Sequence, residues 1–321
     1  MARPIPKFHD FVGQRMIVAR LARQVQGAHQ RGEPVPHSLF IGASGLGKTQ
    51  LAEALAKAAG TTVHRINGRS AEANVVERIQ QCRFADIVFF DEAHQLGGAV
   101  QELLYDVIDH SRLPRRLAPV VESPEENAAE FKPIEPITLV LATDRPGKLH
   151  NALRKRIPII EHFLAYSDEE MREIVDTLAA QQGILLSPQA RNLIADVSRG
   201  VPRRAVHHLG RLRLHLPNSA SENLSLSSIR KYLHDFEFDD AGLGSVEIAY
   251  MRKLRSFEMA SLETLAQSLG LDGEFVRREI ESGLFNLELI AIGAHGRYLT
   301  EAGHLHLKSI PKCVSAEENA Q

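Results

Sequence analysis

The chain has 321 residues, of which 24% are charged and 44% hydrophobic, and its formal net charge is −2. This composition is typical of a globular protein with two or three domains. The chain as a whole has no excess of basic residues, so any contact with nucleic acid must come from local basic patches. Its two cysteines cannot form a disulfide framework. No apolar run approaches the roughly 20 residues that cross a bilayer, and no signal-peptide core is visible. We therefore expect a cytoplasmic protein with no membrane partner.

Residues 39–49, LFIGASGLGKT, are typical of a strand end followed by a G-x-x-x-x-G-K-[ST] loop, and a helical apolar spacing follows. The amides of such a loop bind polyphosphate, Lys48 reaches the terminal phosphates, and Thr49 holds magnesium. A chance glycine-rich turn would not explain the strand–loop–helix order. The residues predicted to contact ATP here are Gly42, Ala43, Ser44, Gly45, Leu46, Gly47, Lys48, Thr49 and Gln50.

A second apolar run, ADIVFFDEAHQL, ends in Asp91 and Glu92. At the carboxyl end of a parallel strand, Asp91 would hold the metal and Glu92 would polarise the attacking water. The simpler interpretation is that both carboxylates only cap a helix. The letters DEAH also name one helicase group, but those helicases need two tandem nucleotide-binding lobes, and no second β/α set follows residue 165.

A third strand candidate, ITLVLATDRPG, ends with Thr143 and Asp144, which are placed to sense the γ-phosphate. Asp144 is a poor partner for phosphate unless water or metal intervenes. The segment NALRKR then carries Arg154 and Arg156. An arginine there lies across the sheet from its own phosphate loop, which favours an arginine finger that acts on ATP in a neighbouring subunit. A solvated basic face is the alternative that the spacing leaves open.

Several further segments make the chain similar, in order and spacing, to RuvB-like AAA+ ATPases, the branch-migration motors of Holliday junctions. They are FVGQ (11–14), GLGKT (45–49), FFDEAHQL followed by LLYDVID (103–109), LATDRPGKL (141–149), LRKRIPI (153–159) and RGVPRRA (199–205). The likeness runs from about Arg3 to about Lys308. It implies an α/β fold in which an AAA+ P-loop domain with a parallel sheet (1–164) is followed by a helical lid (165–238), a winged-helix domain (239–310) and a disordered tail (311–321).

The resemblance also implies roles for individual arginines. It makes Arg156 the finger, with Arg154 as the second choice, and it makes Arg203 the lid arginine that senses nucleotide, with Arg204 beside it. The family's GPPGLGKT loop has Ala43 and Ser44 here in place of its prolines, which is tolerable because backbone amides form the cradle.

Another departure concerns the family's β-hairpin that docks its partner RuvA. The corresponding stretch, 111–133, contains Pro114 and Pro119, which disfavour ladder pairing, and an acidic end. We therefore expect a mobile loop, which puts the contact with a RuvA-like partner in doubt.

The remaining sequence predicts helices and then a winged helix. A capping box at Ser167 and Glu170 opens the first lid helix, Ser187–Pro188 opens the second, and the third follows Pro202. The third helix is the most basic stretch of the chain, and its arginines either meet phosphate or face solvent. Its two histidines, His207 and His208, lack metal-ligand spacing and are interpreted as structural.

Two short helices around residues 270–272 and two β runs that meet at Gly293–Gly296 are typical of a winged helix. In the family, the wing-tip arginine touches the DNA backbone, which places that role on Arg297. Acidic residues outnumber basic ones in this region, so a protein-docking wing stays open.

The resemblance implies an oligomeric ring, most plausibly of six subunits, that uses ATP and Mg²⁺ to drive translocation or branch migration on double-stranded DNA or a DNA junction. Two alternatives stay open at this point. One is an AAA+ loader or transposition or replication regulator, and the other is a protein-remodelling ATPase whose winged helix is an adaptor.

Overall fold

The computed structural model describes Phe8 and residues 11–114, 131–215 and 223–310. The predicted tail from Pro311 lies outside these ranges. The chain forms two compact units, one of Met1–Ile174 with Val201–Arg203 and the other of Val175–Gly200 with Arg204–Gln321. The predicted lid helices therefore group mainly with the winged-helix region. The division into three domains at residues 164 and 238 stays a prediction.

The first unit is built around a parallel β-sheet. Its elements are α1 (Arg15–Arg31), β1 (Ser38–Ile41), α2 (Lys48–Ala59), β2 (Val63–Asn67), α3 (Glu72–Gln80), β3 (Ile87–Asp91), α4 (Gly98–His110), β4 (Arg112–Pro114), β5 (Phe131–Pro133), β6 (Thr138–Thr143), α5 (Asn151–Arg156) and β7 (Ile159–His162). The sheet has the order β2-β3-β6-β1-β7, and all of its pairs are parallel.

The three central strands of this sheet, β3, β6 and β1, are mainly apolar because both faces are covered. Every residue of β6 and the first four of β3 are buried, as expected for a parallel sheet. In the register of the sheet, Ile41 pairs with Thr143 and Asn67 pairs with Asp91. The loop that leaves β1, the carboxylates that follow β3 and the polar end of β6 therefore meet at one edge.

The stretch predicted as a mobile loop begins and ends as a hairpin. β4 pairs with β5 in antiparallel fashion, with Leu113 opposite Lys132 and Pro114 opposite Phe131. The Arg112 guanidinium lies 3.8 Å from the Phe131 ring centroid and also pairs with Asp106. The prediction that the prolines disfavour ladder pairing is wrong at this base, because Pro114 itself pairs with Phe131. Residues 115–130 lie outside the described part.

The second unit begins with helices. α6 (Asp168–Gln181) starts in the first unit and ends in the second, and α7 (Pro188–Val197), α8 (Pro202–His215) and α9 (Leu226–Asp235) follow. The predicted capping box is present, since the Glu170 amide donates to the Ser167 hydroxyl at 3.3 Å and the Ser167 amide donates to the Glu170 carboxylate at 3.1 Å. The Ser187 hydroxyl caps α7 through the Ala190 amide at 3.2 Å.

The rest of the second unit is the predicted winged helix. Its elements are α10 (Ser245–Phe257), β8 (Met259–Ala260), α11 (Leu262–Leu269), α12 (Gly273–Phe275), a π-helical segment (Val276–Glu281), α13 (Ser282–Asn286), β9 (Ile290–Gly293), β10 (Gly296–Leu299) and α14 (Glu301–Ser309). An antiparallel sheet of order β8-β10-β9 packs with a core of its own around Tyr250, Leu254 and Leu284. Both the α/β sheet and the winged helix of the predicted fold class are confirmed. Among the described residues, no helix is long and apolar enough to cross a membrane.

Candidate nucleotide-binding site

The glycine-rich loop joins β1 to the amino terminus of α2, as the sequence predicted. Lys48 is buried, and its Nζ donates hydrogen bonds to the carbonyl oxygens of Gly42 and Ala43, both at 2.8 Å. Burial lowers the pKa of Lys48, while the nearby Glu92 and Asp91 carboxylates oppose that shift. The ammonium, the loop and both predicted carboxylates therefore share one site.

Arg203, the predicted lid arginine, lies directly against this loop. Its guanidinium donates to the Ser44 hydroxyl at 2.6 Å, and its amide donates to the Gly45 carbonyl at 3.3 Å. Gly45 has φ +84°, and a Cβ there would lie 2.7 Å from the Cβ of Arg203. Glycine at position 45 thus allows both the left-handed backbone and the close approach of Arg203. Thr49 and Gln50 occupy the first turn of α2.

Tyr166, which sequence reasoning missed, holds this loop in place, and Gln14 lies close by. The buried Tyr166 hydroxyl donates to the Leu46 carbonyl at 3.0 Å, and burial raises the pKa of Tyr166. Gln14 donates from Nε2 to the Leu164 carbonyl at 2.7 Å. The FVGQ segment was a signal for Gln14, whereas no local pattern marks Tyr166.

Asp91 and Glu92 follow β3 at the edge where the loop lies. An oxygen of Asp91 accepts the Glu92 amide at 3.0 Å, and Glu92 has the left-handed φ of +52°. Gly68, after β2, packs against this turn so closely that a Cβ would lie 2.1 Å from the Glu92 carbonyl oxygen. Gly68 is therefore a required part of the turn that presents Glu92, and sequence reasoning missed it.

His94 links the DE pair to the end of β6. Its Nδ1 lies 3.2 Å from the Thr143 hydroxyl, 3.4 Å from a Glu92 carboxylate oxygen and 3.4 Å from an Asp144 carboxylate oxygen. Thr143 is buried, and its hydroxyl also accepts the Arg145 amide at 2.9 Å. The structure therefore brings Glu92, Thr143 and Asp144 together around one imidazole. The letters DEAH contained this histidine, but its role could not be assigned from them.

Arg156 lies away from the phosphate loop of its own chain. It stands in the last turn of α5, where its Nε donates to Asp109 at 2.7 Å and its guanidinium carbon lies 4.6 Å from the Tyr105 ring centroid. Its side chain is 35% exposed. Arg154 on the same helix makes a hydrogen bond of 3.4 Å to Asn151.

Arg297 stands within β10, whereas the turn between β9 and β10 is formed by residues 294–295. Its Nε and one terminal nitrogen donate to the two oxygens of Glu281 at 2.8 and 3.3 Å, and Glu281 also accepts the Tyr250 hydroxyl at 2.7 Å. The Glu281 side chain is 1% exposed and that of Arg297 17%. This internal ion pair does not favour the predicted contact with DNA, which stays a prediction.

Comparisons with known proteins place these features in a family. Residues 2–163 match the sequence model of the Holliday junction DNA helicase RuvB P-loop domain, and residues 240–308 match that of the RuvB C-terminal winged helix domain. The Holliday junction branch migration complex subunit RuvB of Fervidobacterium nodosum is 30% identical over 94% of this chain and 88% of its own length. The corresponding subunit of Lactobacillus johnsonii is 30% identical over 94% of this chain and 90% of its own length.

A solved structure, that of the Thermotoga maritima RuvB Holliday junction branch migration motor, is similar to this chain with a TM-score of 0.79. It is 29% identical, and the match covers 97% of this chain and 99% of that one. The likeness thus extends over the sheet, the phosphate loop and the winged helix alike. The chain is a P-loop ATPase that belongs to the RuvB family of Holliday junction branch-migration motors.

Proposed function

We propose that this chain is the ATP-driven motor subunit of an oligomer that moves Holliday junction DNA. The observation that carries the proposal is the convergence of Lys48, Asp91, Glu92 and Arg203 at one sheet edge, in a chain that resembles RuvB relatives over 94% of its length. The loader and the protein remodeller are not favoured, because the likeness to branch-migration proteins includes the winged helix as well as the ATPase fold.

The proposed phosphate ligands are the loop amides of residues 42–47, the Lys48 ammonium and the Arg203 guanidinium. Lys48 is already held at the loop by two carbonyl oxygens, which a bound polyphosphate would replace as its partners. Arg203 contacts the same loop through Ser44. Charge-assisted hydrogen bonds from both cations would supply much of the affinity for ATP.

Thr49 and Asp91 fit a magnesium ion, since both offer the oxygen ligands that Mg²⁺ prefers. The Asp91 carboxylate lies close enough to Lys48 to raise the pKa of Lys48, and Lys48 directly precedes Thr49 in the chain. When bound, Mg²⁺ would be held by Thr49 and Asp91 and would neutralise charge on the phosphates.

Glu92 is the proposed residue that orients the attacking water and takes up its proton. Its left-handed turn against Gly68 fixes the direction of the carboxylate. His94 would hold Glu92 and Asp144 in position, since it lies 3.4 Å from both. Thr143 would act through His94, because its hydroxyl already bonds the Arg145 amide and the imidazole.

Arg156 is the proposed finger that completes the site of the next subunit. Its partners in its own chain are Asp109, Tyr105 and Ala152, all away from the phosphate loop. A finger supplied in trans requires a closed or stacked oligomer, for which a six-membered ring is the proposal that the family resemblance favours. An arginine in this role contributes about 10³–10⁵-fold to the rate of phosphoryl transfer.

Double-stranded junction DNA is the proposed track, and the winged helix is the proposed contact, made through backbone phosphates rather than base edges. The hairpin base formed by β4 and β5 is the proposed start of a docking element for a RuvA-like protein.

The test compares the ATPase rate without DNA, with linear duplex and with a four-way junction, and it measures junction dissociation in parallel. We expect the junction to stimulate hydrolysis and ATP to drive dissociation, with Lys48→Ala inactive in both assays. Stimulation without dissociation, even with a RuvA protein added, would support the loader instead. A rate indifferent to all DNA would support the protein remodeller.

A further inference from the structure

A cavity of about 270 Å³ in the second unit is lined on one side by α8 and on the other by winged-helix residues. The lining residues of α8 stand at positions i, i+3, i+4 and i+7, which places them on one helix face. They are Arg204, His207, His208 and Arg211. The apolar positions Leu209 and Leu212 are buried elsewhere in the unit. The most basic stretch of the sequence therefore presents its charge to a cavity.

The carboxylates beside this cavity are partly committed to other groups. Glu247 accepts Arg199 at 3.1 Å through one oxygen and the Gly244 amide at 2.7 Å through the other. Arg199 also donates to the Gly242 carbonyl. Glu279, across the cavity, is exposed. The Arg199–Glu247 pair thus closes one wall, and the Glu247 and Glu279 carboxylates both act on Arg204 through space.

Arg204 is the innermost cation on this face of α8. It is half-buried, and within the described ranges its guanidinium has no hydrogen-bond acceptor and no ion-pair partner. Burial lowers the pKa of Arg204 and the Arg199 charge lowers it further, while the Glu247 and Glu279 carboxylates partly oppose that shift. Both guanidinium groups lie beside Gly283, where an added Cβ would be 2.8 Å from Arg199 and 3.6 Å from Arg204. An oxygen of Glu247 lies 3.4 Å from the same point, so one carboxylate serves both cations, and in the described part of the chain Arg204 keeps no hydrogen-bond acceptor of its own.

The other basic residues fall into two groups. His208 is buried and shares a hydrogen bond of 3.0 Å with the Tyr232 hydroxyl, so it is a structural residue, as the sequence predicted. His207 and Arg211 are exposed, and the Arg211 guanidinium carbon lies 5.5 Å from the Phe238 ring centroid. These two side chains form a basic rim around the inner Arg204.

We propose that this cavity binds a phosphate group, with Arg204 as the inner ligand and Arg211 and His207 at the rim. A planar guanidinium matches the two-oxygen edge of a phosphate and binds it in bidentate fashion. The phosphate could belong to a free nucleotide or to the DNA backbone, and Phe275, 47% exposed at the lining, offers a ring on which a base can stack. The proposal does not depend on ATP hydrolysis.

The experiment uses the full chain with Phe275→Trp as a reporter, because the sequence contains no other tryptophan. Tryptophan fluorescence is followed while inorganic phosphate, AMP or linear duplex DNA is added in separate titrations. Arg204→Met removes the inner cation with little change in size. Arg213→Met is the matched control, since Arg213 is exposed on the same helix and does not line the cavity.

We expect a saturable signal that Arg204→Met weakens about 10-fold or more, as for a lost charge-assisted contact, while Arg213→Met titrates like the parent. Saturation by AMP or phosphate identifies a free phosphate ligand, and saturation by DNA alone identifies the backbone. We also expect Arg204→Met to unfold at a higher temperature than the parent without ligand, because a half-buried cation with no hydrogen-bond acceptor among the described residues is gone. If Arg204→Met does not fold, Arg204→Lys, which keeps the charge but loses the fork, serves in its place. Equal titration of the Arg204 variant and the parent, or no signal with any titrant, would overturn the proposal.

Discussion

Replacing Arg297 with alanine removes two of the three hydrogen bonds that the buried Glu281 carboxylate accepts. Removing one partner of a buried ion pair costs about 3–5 kcal/mol. Because Arg297 is itself 17% exposed and Tyr250 still donates to Glu281, we expect a loss near the lower limit, about 3 kcal/mol. In a unit of this size, such a loss lowers the unfolding temperature by roughly 10 °C.

The measurement is thermal and urea unfolding of the full chain, followed together with the salt dependence of duplex binding. Arg277→Ala is the control, because Arg277 is an exposed arginine of the same region, and surface changes shift stability by about 0.5 kcal/mol or less. The opposite result would be that Arg297→Ala unfolds like the parent, while the salt dependence of its DNA association constant (the slope of log K against log salt concentration) decreases in magnitude by about 0.9, the value for one lost phosphate contact. Arg297 would then be a DNA ligand, and the structural role argued from Glu281 would be refuted.

Three further predictions concern other residues. Arg156→Ala is expected to lose ATP hydrolysis while its affinity for ATP changes little, and mixing it with Glu92→Gln subunits should restore part of the rate; normal hydrolysis by Arg156→Ala alone would exclude the finger. Gly68→Ala places a Cβ 2.1 Å from the Glu92 carbonyl oxygen, so we expect kcat to fall roughly 10-fold or more with nucleotide affinity retained, and an unchanged kcat would contradict this account. Burial lowers the pKa of His208 to about 4, so as the pH falls the unfolded chain binds a proton at His208 before the folded chain does. Folding stability is therefore lost between pH 6.5 and pH 4, by up to about 1.4 kcal/mol per pH unit. His208→Gln should flatten that dependence in urea unfolding, and an equally steep dependence in the variant would argue against it.

The parts of the site that the sequence predicted are those built from contiguous residues. The phosphate loop, the DE pair and the ends of three strands follow from local patterns, because a parallel sheet brings the carboxyl ends of its strands to one edge. Tyr166 and Gly68 could not be found in this way. Their roles depend on which distant backbone group lies beside them, namely Leu46 for Tyr166 and Glu92 for Gly68.

The hairpin base and Arg297 show the converse limit, because there a local pattern suggested a feature that the packing does not favour. Proline content disfavoured pairing over residues 111–133, yet Pro114 pairs with Phe131 at the base of the hairpin. The resemblance placed Arg297 at a wing tip, while the structure provides a buried carboxylate for it. A charged residue can be located from sequence, but its partner depends on packing that the pattern does not contain.

The pairing of Arg156 with Asp109 has a consequence for how subunits communicate. In the proposed finger role, each Arg156 guanidinium would have to leave a carboxylate of its own chain before it could reach a neighbour's nucleotide. The pair is about one-third exposed on both sides, so its separation costs only about 0–1 kcal/mol. Asp109 stands on α4, the helix that follows the Asp91–Glu92 turn, so under that proposal a single helix connects the hydrolytic carboxylates to the partner of the finger.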